Sequence, residues 1–453
     1  MIDLALLAFV GALLALGLRR PFIWVLAYLY VDIVAPQKIG WGIIQAIPLS
    51  FVTFIAAFAG WLLFDSKKGS RFTFRQGLIL ALLLWCGWTT LHADFPVEAL
   101  VKWDWVWKAL VFAIFLPLTL RTKLRIEAAT LITALSLGAV VISAGIKTVL
   151  SGGGYGTLSS LVRTNEGLYE GSIMSMAAIS AIPLILWVAR RGTIFPRSRW
   201  TMLFAAGLVF AALLVPVGTQ TRTGLVCIAV LAILMMRSVK NRFLYAGVAA
   251  LALFAAIPFL PQSFTERMGT ITNHQEDESA STRIAVWRWT LEYVREKPLG
   301  GGFDAYRSNS FTYRMPVSEG TPENRRIRYQ EVTDEARAYH SSYFEVLGEQ
   351  GWPGLALWLW LHAIGLWQME RLRRRLRAAE TEEQKSWYEL ATALQQAQAV
   401  YLVGAMFVGI AYQPFAFYIV ALQIALTNLL ARQTREPAGF SPYAARAPGA
   451  AMP

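Results

Sequence analysis

Apolar stretches long enough to cross a bilayer recur along the whole chain, and this repetition limits the fold more than any motif does. They lie at 2–18, 21–36, 43–64, 76–93, 105–119, 127–147, 171–189, 201–218, 224–236, 243–260, 351–369, 389–411 and 415–431. A bilayer core takes roughly 20 helical residues, and a backbone inside it must bond to itself. Several of these stretches are shorter than that, so their ends are soft. Only 16% of the residues are charged and 56% are hydrophobic, with mean hydropathy +0.45, whereas soluble domains carry about 25% charge. The expected fold class is an all-α polytopic membrane protein of about 12 (12–13) transmembrane helices. The pair 21–36 and 43–64, interrupted by Pro36 and Pro48, is where the two counts diverge.

Lysine and arginine alternate from one connection to the next. Arg19-Arg20, Lys67 to Arg75, Arg121 to Arg125, Arg190 to Arg199, Arg237 to Arg242 and Arg371 to Lys385 form one dense set, which the positive-inside rule assigns to the cytoplasm. The other connections carry few basic residues in their short members, so they belong outside. The longest of them, 261–350, is then periplasmic in a bacterium. The net charge of +13 follows this loop pattern and does not read as a nucleic-acid surface. Residues 2–18 have no basic segment before them and are followed by Arg19-Arg20, which reads as a retained anchor. Cys86 and Cys227 both fall in apolar stretches and support neither a disulfide nor a zinc site.

The expected organisation is transmembrane helices with short loops over 1–260, a large, partly helical periplasmic loop over 261–350 packed on the membrane domain, and further transmembrane helices over 351–433. A disordered cytoplasmic tail is expected over 434–453, rich in Pro, Gly and Ala. Gly152 to Gly156 reads as a flexible outer loop, and Glu276-Asp277-Glu278 as a solvated turn. Ser281 to Lys297 reads as a helix capped by Ser281, with Ile284, Trp287, Leu291 and Val294 at helical spacing. Residues 311–337 read as an irregular polar loop, and Arg371 to Lys385 as a charged cytoplasmic helix. Asp32 and Lys108 are the clearest charges inside apolar stretches, either paired or near span ends.

Three residues of the outer segments stand out chemically. His340 ends the long polar loop just before an apolar stretch, and only histidine has an unperturbed pKa, about 6.5, suited to proton transfer near neutrality. Taken alone, it reads more plainly as a surface residue that starts a helix. Arg222, in Thr219-Gln220-Thr221-Arg222-Thr223-Gly224, lies outside the positive-inside pattern. It is either an anion site helped by neighbouring hydroxyls or a residue snorkelling to the interface. Arg283, in the first turn of the loop helix, is badly placed for the helix dipole and pairs either with an anion or with the nearby acidic run. Arg288 is its neighbour and competitor, more plainly a solvated-face residue. Guanidinium groups bind phosphate in two-pronged fashion. With a histidine beside them, they suit transfer from a phosphate-linked donor to a hydroxyl, with no carboxylate cluster to hold a metal.

His340-Ser341, nine residues, then Gly351-Trp352-Pro353-Gly354 resembles the His-[Asn/Ser/Gln]-x9-Gly-x-x-Gly pattern of bacterial O-antigen ligases. Thr219 to Gly224 and Ser281 to Gly302 resemble further segments of that family, so the likeness covers about residues 200–420. The resemblance implies a metal-independent, inverting glycosyltransferase of the bacterial inner membrane with no cofactor. Its donor would be an undecaprenyl-diphosphate-linked glycan, its acceptor lipid A-core oligosaccharide, and membrane lipids its surroundings. By motif it implies His340 as general base and Arg222 and Arg283 as diphosphate-binding catalytic residues. Arg288, Ser341, Gly351, Gly354 and Tyr306 would bind substrate. O-antigen or exopolysaccharide polymerases and protein O-oligosaccharyltransferases share the architecture, so the acceptor stays open. A lipid-glycan transporter is the reading from a different class. Few charges lie within the spans and no repeat is apparent, which favours an enzyme.

Overall fold

The structure, a computed structural model, describes residues 2–150, 167–237, 278–319 and 326–434, with isolated positions between 241 and 247. The expected span 243–260, the glycine-rich stretch from Gly152, the acidic Glu276-Asp277 and the tail beyond Thr434 lie outside the described residues. The N-terminal half runs α1 (Ile2–Arg19), α2 (Phe22–Val34), α3 (Pro36–Ile39), α4 (Leu49–Phe64), α5 (Phe74–Leu91), α6 (Pro96–Thr119) and α7 (Lys123–Leu150). Then come α8 (Gly171–Arg191), α9 (Arg199–Gly218), α10 (Arg222–Met236), α11 (Glu278–Glu296), β1 (Ser310–Glu319), β2 (Arg326–Glu335), α12 (Ser342–Leu376), α13 (Glu382–Gly404) and α14 (Pro414–Gln433).

Every other expected span overlaps a helix, although 43–64 is α-helical only from Leu49 and 389–411 runs past the helix end at Gly404. Among the described residues, seven helices are long and apolar enough to cross a membrane: α1, the Phe22–Ile39 stretch, α5, α7, α8, α9 and α14. α4 and α10 are apolar but shorter. Buried helices such as α8, which hides residues on all sides, form the centre of the bundle, while α1 exposes most of its apolar surface. Helix ends are set by local chemistry. Thr73 and Gln76 form a reciprocal capping box at the start of α5, and the Glu170 carboxylate accepts the Ile173 N–H at 2.8 Å at the start of α8.

The basic connections converge at one end. Asp65 pairs with Arg121 at 2.9 Å and Arg125 at 2.6 Å, Arg191 pairs with Glu382 and Glu389, and Arg432 donates to the Arg121 carbonyl. The connections 92–95, 219–221, 297–302, 336–341 and 405–413 gather at the opposite end. Contacts such as Asp94 N–H to the Gly301 carbonyl at 2.8 Å and Ser342 N–H to the Ala405 carbonyl at 2.8 Å join them.

Several expectations are corrected. The segment expected to be an irregular loop over 311–337 contains an antiparallel hairpin, with Ser310 opposite Glu335 and Glu319 opposite Arg326, so the fold is helical but not purely α. The loop helix begins at Glu278, which moves Ser281 from the cap into the helix and Arg283 beyond the first turn. Its buried face is Val286, Thr290 and Val294, whereas Ile284 and Leu291 are exposed. The Thr290 hydroxyl bonds the Val286 carbonyl at 2.8 Å, which lets a polar residue face the core. The charged stretch 371–385 is two helix ends joined by a turn. Asp32 and Lys108 do not pair: Asp32 accepts from Tyr28 and Tyr418, and Lys108 binds Asp104 one turn away at 2.9 Å.

Candidate functional site

His340 sits where the hairpin segment turns into α12, and its backbone is in the left-handed region at φ +48°. A non-glycine residue there costs about 1–3 kcal/mol, tolerated only when its surroundings over-determine it. The neighbours do so. Tyr339 is buried, its carbonyl accepts the Trp287 indole N–H at 2.9 Å, and its ring lies on Gly348, where an added Cβ would overlap the phenol. Trp287 also stacks on Phe344 at 4.9 Å, with the rings 5° from parallel. Ser341 is buried and is the N-cap of α12, its carbonyl accepting the Glu345 N–H at 2.8 Å. The Ser342 hydroxyl donates to the Val408 carbonyl at 2.8 Å and accepts from the Ile410 N–H at 2.9 Å.

Between these fixed residues the His340 side chain is exposed. It has an open face within walls of protein. The lost hydration lowers the imidazole pKa below its ordinary value, and the Arg283 and Arg337 guanidiniums lower it further. The ring is therefore neutral at neutral pH, the form that accepts a proton. Arg283 precedes Trp287 by one helical turn, so the helix that clamps Tyr339 also carries a cation towards His340. Arg337 is held by Asp334 and by its own N–H to the Asn309 side chain at 2.9 Å.

Arg222 opens α10, directly after Thr221 as N-cap and Gln220 at φ +52°. The threonine hydroxyls expected to help bind an anion are turned elsewhere. Thr221 Oγ1 donates to Ser175 Oγ at 2.8 Å, and Thr219 Oγ1 shares a 2.9 Å bond with the same serine. The Arg222 guanidinium itself is half-buried at the N-terminus of α10. One turn further along α10, Cys227 Sγ lies 3.9 Å from the Val400 carbonyl of α13, whose far end receives Ser342. Arg222 thus lies at the same end of the bundle as His340, and Arg283 is within electrostatic reach of it. Arg288 is exposed. Tyr306 meets Tyr339 edge-on at 5.7 Å, one residue from His340.

The glycines have a structural task. Gly301 N–H donates to the Gly348 carbonyl at 3.0 Å, Gly302 N–H to the Glu349 carbonyl at 2.9 Å, and Trp352 N–H to the Pro298 carbonyl at 3.0 Å. Two backbones cross in contact here. Gly300 at φ +85° and Gly351 at φ +62° face one another, and a Cβ on Gly300 would stand 2.5 Å from the Glu349 carbonyl oxygen and the Gly351 nitrogen. Gly351 breaks α12 at this crossing. Gly354 follows one turn on, against Gln350 and Trp85.

Sequence reasoning missed Lys102, whose ammonium is 2.7 Å from both Glu345 and Glu349. No sequence signal joined them: the two glutamates lie one turn apart after His340, more than two hundred residues from a lysine in a helix that also carries Glu98, Asp104 and Lys108. Among the described residues, no three of His, Cys, Asp and Glu converge as metal ligands.

A neutral, exposed histidine near two guanidiniums, at the mouth of apolar helices, can take a proton from a hydroxyl. Helices of this length and apolarity mark a multi-pass membrane protein. Residues 207–359 match the O-antigen ligase family. Residues 1–193 match a family of unknown function. No curated protein matches the chain.

Proposed function

We propose that the protein transfers a glycan from undecaprenyl diphosphate to a hydroxyl of lipid A-core oligosaccharide, at the periplasmic face of the bacterial inner membrane. The observation that carries this reading is His340, strained, exposed and held neutral between arginines. The imidazole removes the acceptor hydroxyl proton as the oxygen bonds to the anomeric carbon. The carbon–oxygen bond to the diphosphate breaks on the opposite side, so the configuration inverts. Undecaprenyl diphosphate leaves with one more negative charge, which Arg222 and Arg283 stabilise. Arg288, Tyr306, Ser341, Gly351 and Gly354 line or shape the substrate path. The match over 207–359, which includes every one of these residues, supports the reading.

Deleting the gene tests it. Loss of glycan from lipopolysaccharide, with lipid-linked chains still of full length, is the expected result. Short chains would assign a polymerase, and bare protein a protein O-glycan ligase. Unchanged glycans on all three would sink the reading. Transfer is expected to survive chelators, and a loss reversed by added divalent ion would overturn the metal-free step.

A further inference from the structure

Lys102 lies in α6, within the segment that matches the family of unknown function and outside the matched ligase segment. Its ammonium is held between Glu345 Oε1 and Glu349 Oε1, each at 2.7 Å, with Asp304 Oδ1 at 4.0 Å. The Glu349 side chain is fully buried and that of Glu345 nearly so. Glu345 Oε2 accepts the Ala411 N–H at 3.1 Å, and Glu349 Oε1 accepts the N–H of Asp304 at 3.0 Å, a residue at φ +59°. One lysine therefore ties four segments: α6, the turn before the hairpin, the first turns of α12 and the loop before α14. The adjoining connection docks on the same region. Asp94 binds Lys297, accepts from Tyr293, and gives its N–H to Gly301.

We propose that Lys102 is a positioning residue for His340, supplied by the otherwise unassigned N-terminal half. The path is short. Lys102 neutralises two glutamates that flank Gly348 on α12, Tyr339 rests on Gly348, and His340 follows Tyr339 in a backbone state that only fixed neighbours maintain. Without the lysine, Glu345 and Glu349 are two carboxylates one turn apart, out of water and without their cation. Either they take up protons or that turn of α12 moves. Moving it displaces Tyr339 and hence the imidazole. This inference rests on His340 being the base.

The test uses the full-length protein in membranes, with its lipid-linked donor and the acceptor that the gene deletion identifies. Lys102→Met should lower kcat by about 10²-fold, the effect of misplacing a catalytic group by about 1 Å, with the donor KM within about threefold. Lys102→Met combined with Glu349→Gln, which removes the stranded charge, should recover most of kcat. Unchanged kcat in Lys102→Met would overturn the proposal. So would a double variant that regains thermal stability but not kcat, because the ion pair would then be structural only. His340→Ala is measured alongside. If it retains activity, the base assignment fails, whatever Lys102 does.

Discussion

His340 and His362 stand just before and within the same helix, yet they live in opposite surroundings. His362 is almost wholly buried, its Nδ1 accepts from Gln398 at 2.9 Å, and Trp358 and Tyr401 enclose the ring. It ends a chain of donors: Arg75 to Gln423 at 2.9 Å, Gln423 to Gln398 at 2.9 Å, then Gln398 to His362. That chain joins α5, α12, α13 and α14, and its worth is cohesion where water is absent. His340 is exposed, sits in a strained backbone state, and faces two cations. The contrast separates a histidine that holds helices together from one whose surroundings are held for it.

The largest expected effect tests this division directly. His340→Ala should lower glycan transfer by about 10²–10⁴-fold, the usual worth of a general base, with the thermal midpoint nearly unchanged. His362→Ala should do the reverse, losing about 2 kcal/mol of stability through an empty site and unpaired amides while transfer per folded molecule persists. Measuring both quantities on both variants breaks the comparison if the pattern is exchanged or shared.

Next in size is Gly300→Ala. Left-handed strain plus overlap with the Glu349 carbonyl should cost about 3 kcal/mol, read as lost thermal stability and faster proteolysis of the 278–341 segment. A variant as stable as wild type would mean the crossing of 298–302 with 348–352 does not bind this end of the bundle together. Arg222→Lys should reduce transfer roughly tenfold by losing about one charge-assisted bond while keeping the charge. Full activity would show that Arg222 acts as a point charge or not at all.

How much of this was legible in the sequence depended on the distance over which each signal acts. Helices were legible because a bilayer-length apolar run needs no partner to declare itself. The position of His340 just before an apolar helix was legible because the polar loop ends abruptly there. The hairpin was less so, although Phe311, Tyr313, Met315 and Val317 alternate at strand spacing. Five arginines and Pro316 masked the pattern. Lys102 was illegible because its partners are over two hundred residues away and only the fold brings α6 against α12. The glycines were visible as motif positions, but their backbone crossing was not, since the sequence does not show which backbone crosses which. On α11 the expected face was right at Trp287 and Val294 and wrong at Ile284 and Leu291: Thr290 faces inward because it can satisfy its hydroxyl on its own helix.

The smallest effect gives the finest measure of the difference between the two histidines. The neutral imidazole of His340 is the active form, and Arg337 is one of the cations that disfavour its protonation. The acidic limb of transfer should therefore lie below the ordinary histidine value. Arg337→Gln removes one of those cations, so the imidazole pKa rises and the acidic limb of the kcat profile should move to higher pH, with activity on the plateau close to wild type. A substitution at Arg75, whose charge acts on the buried His362, should leave that limb where it is. If Arg337→Gln leaves the limb in place, or Arg75→Gln moves it, the titrating group is not the exposed histidine, and the assignment of separate roles to the two ends of α12 fails.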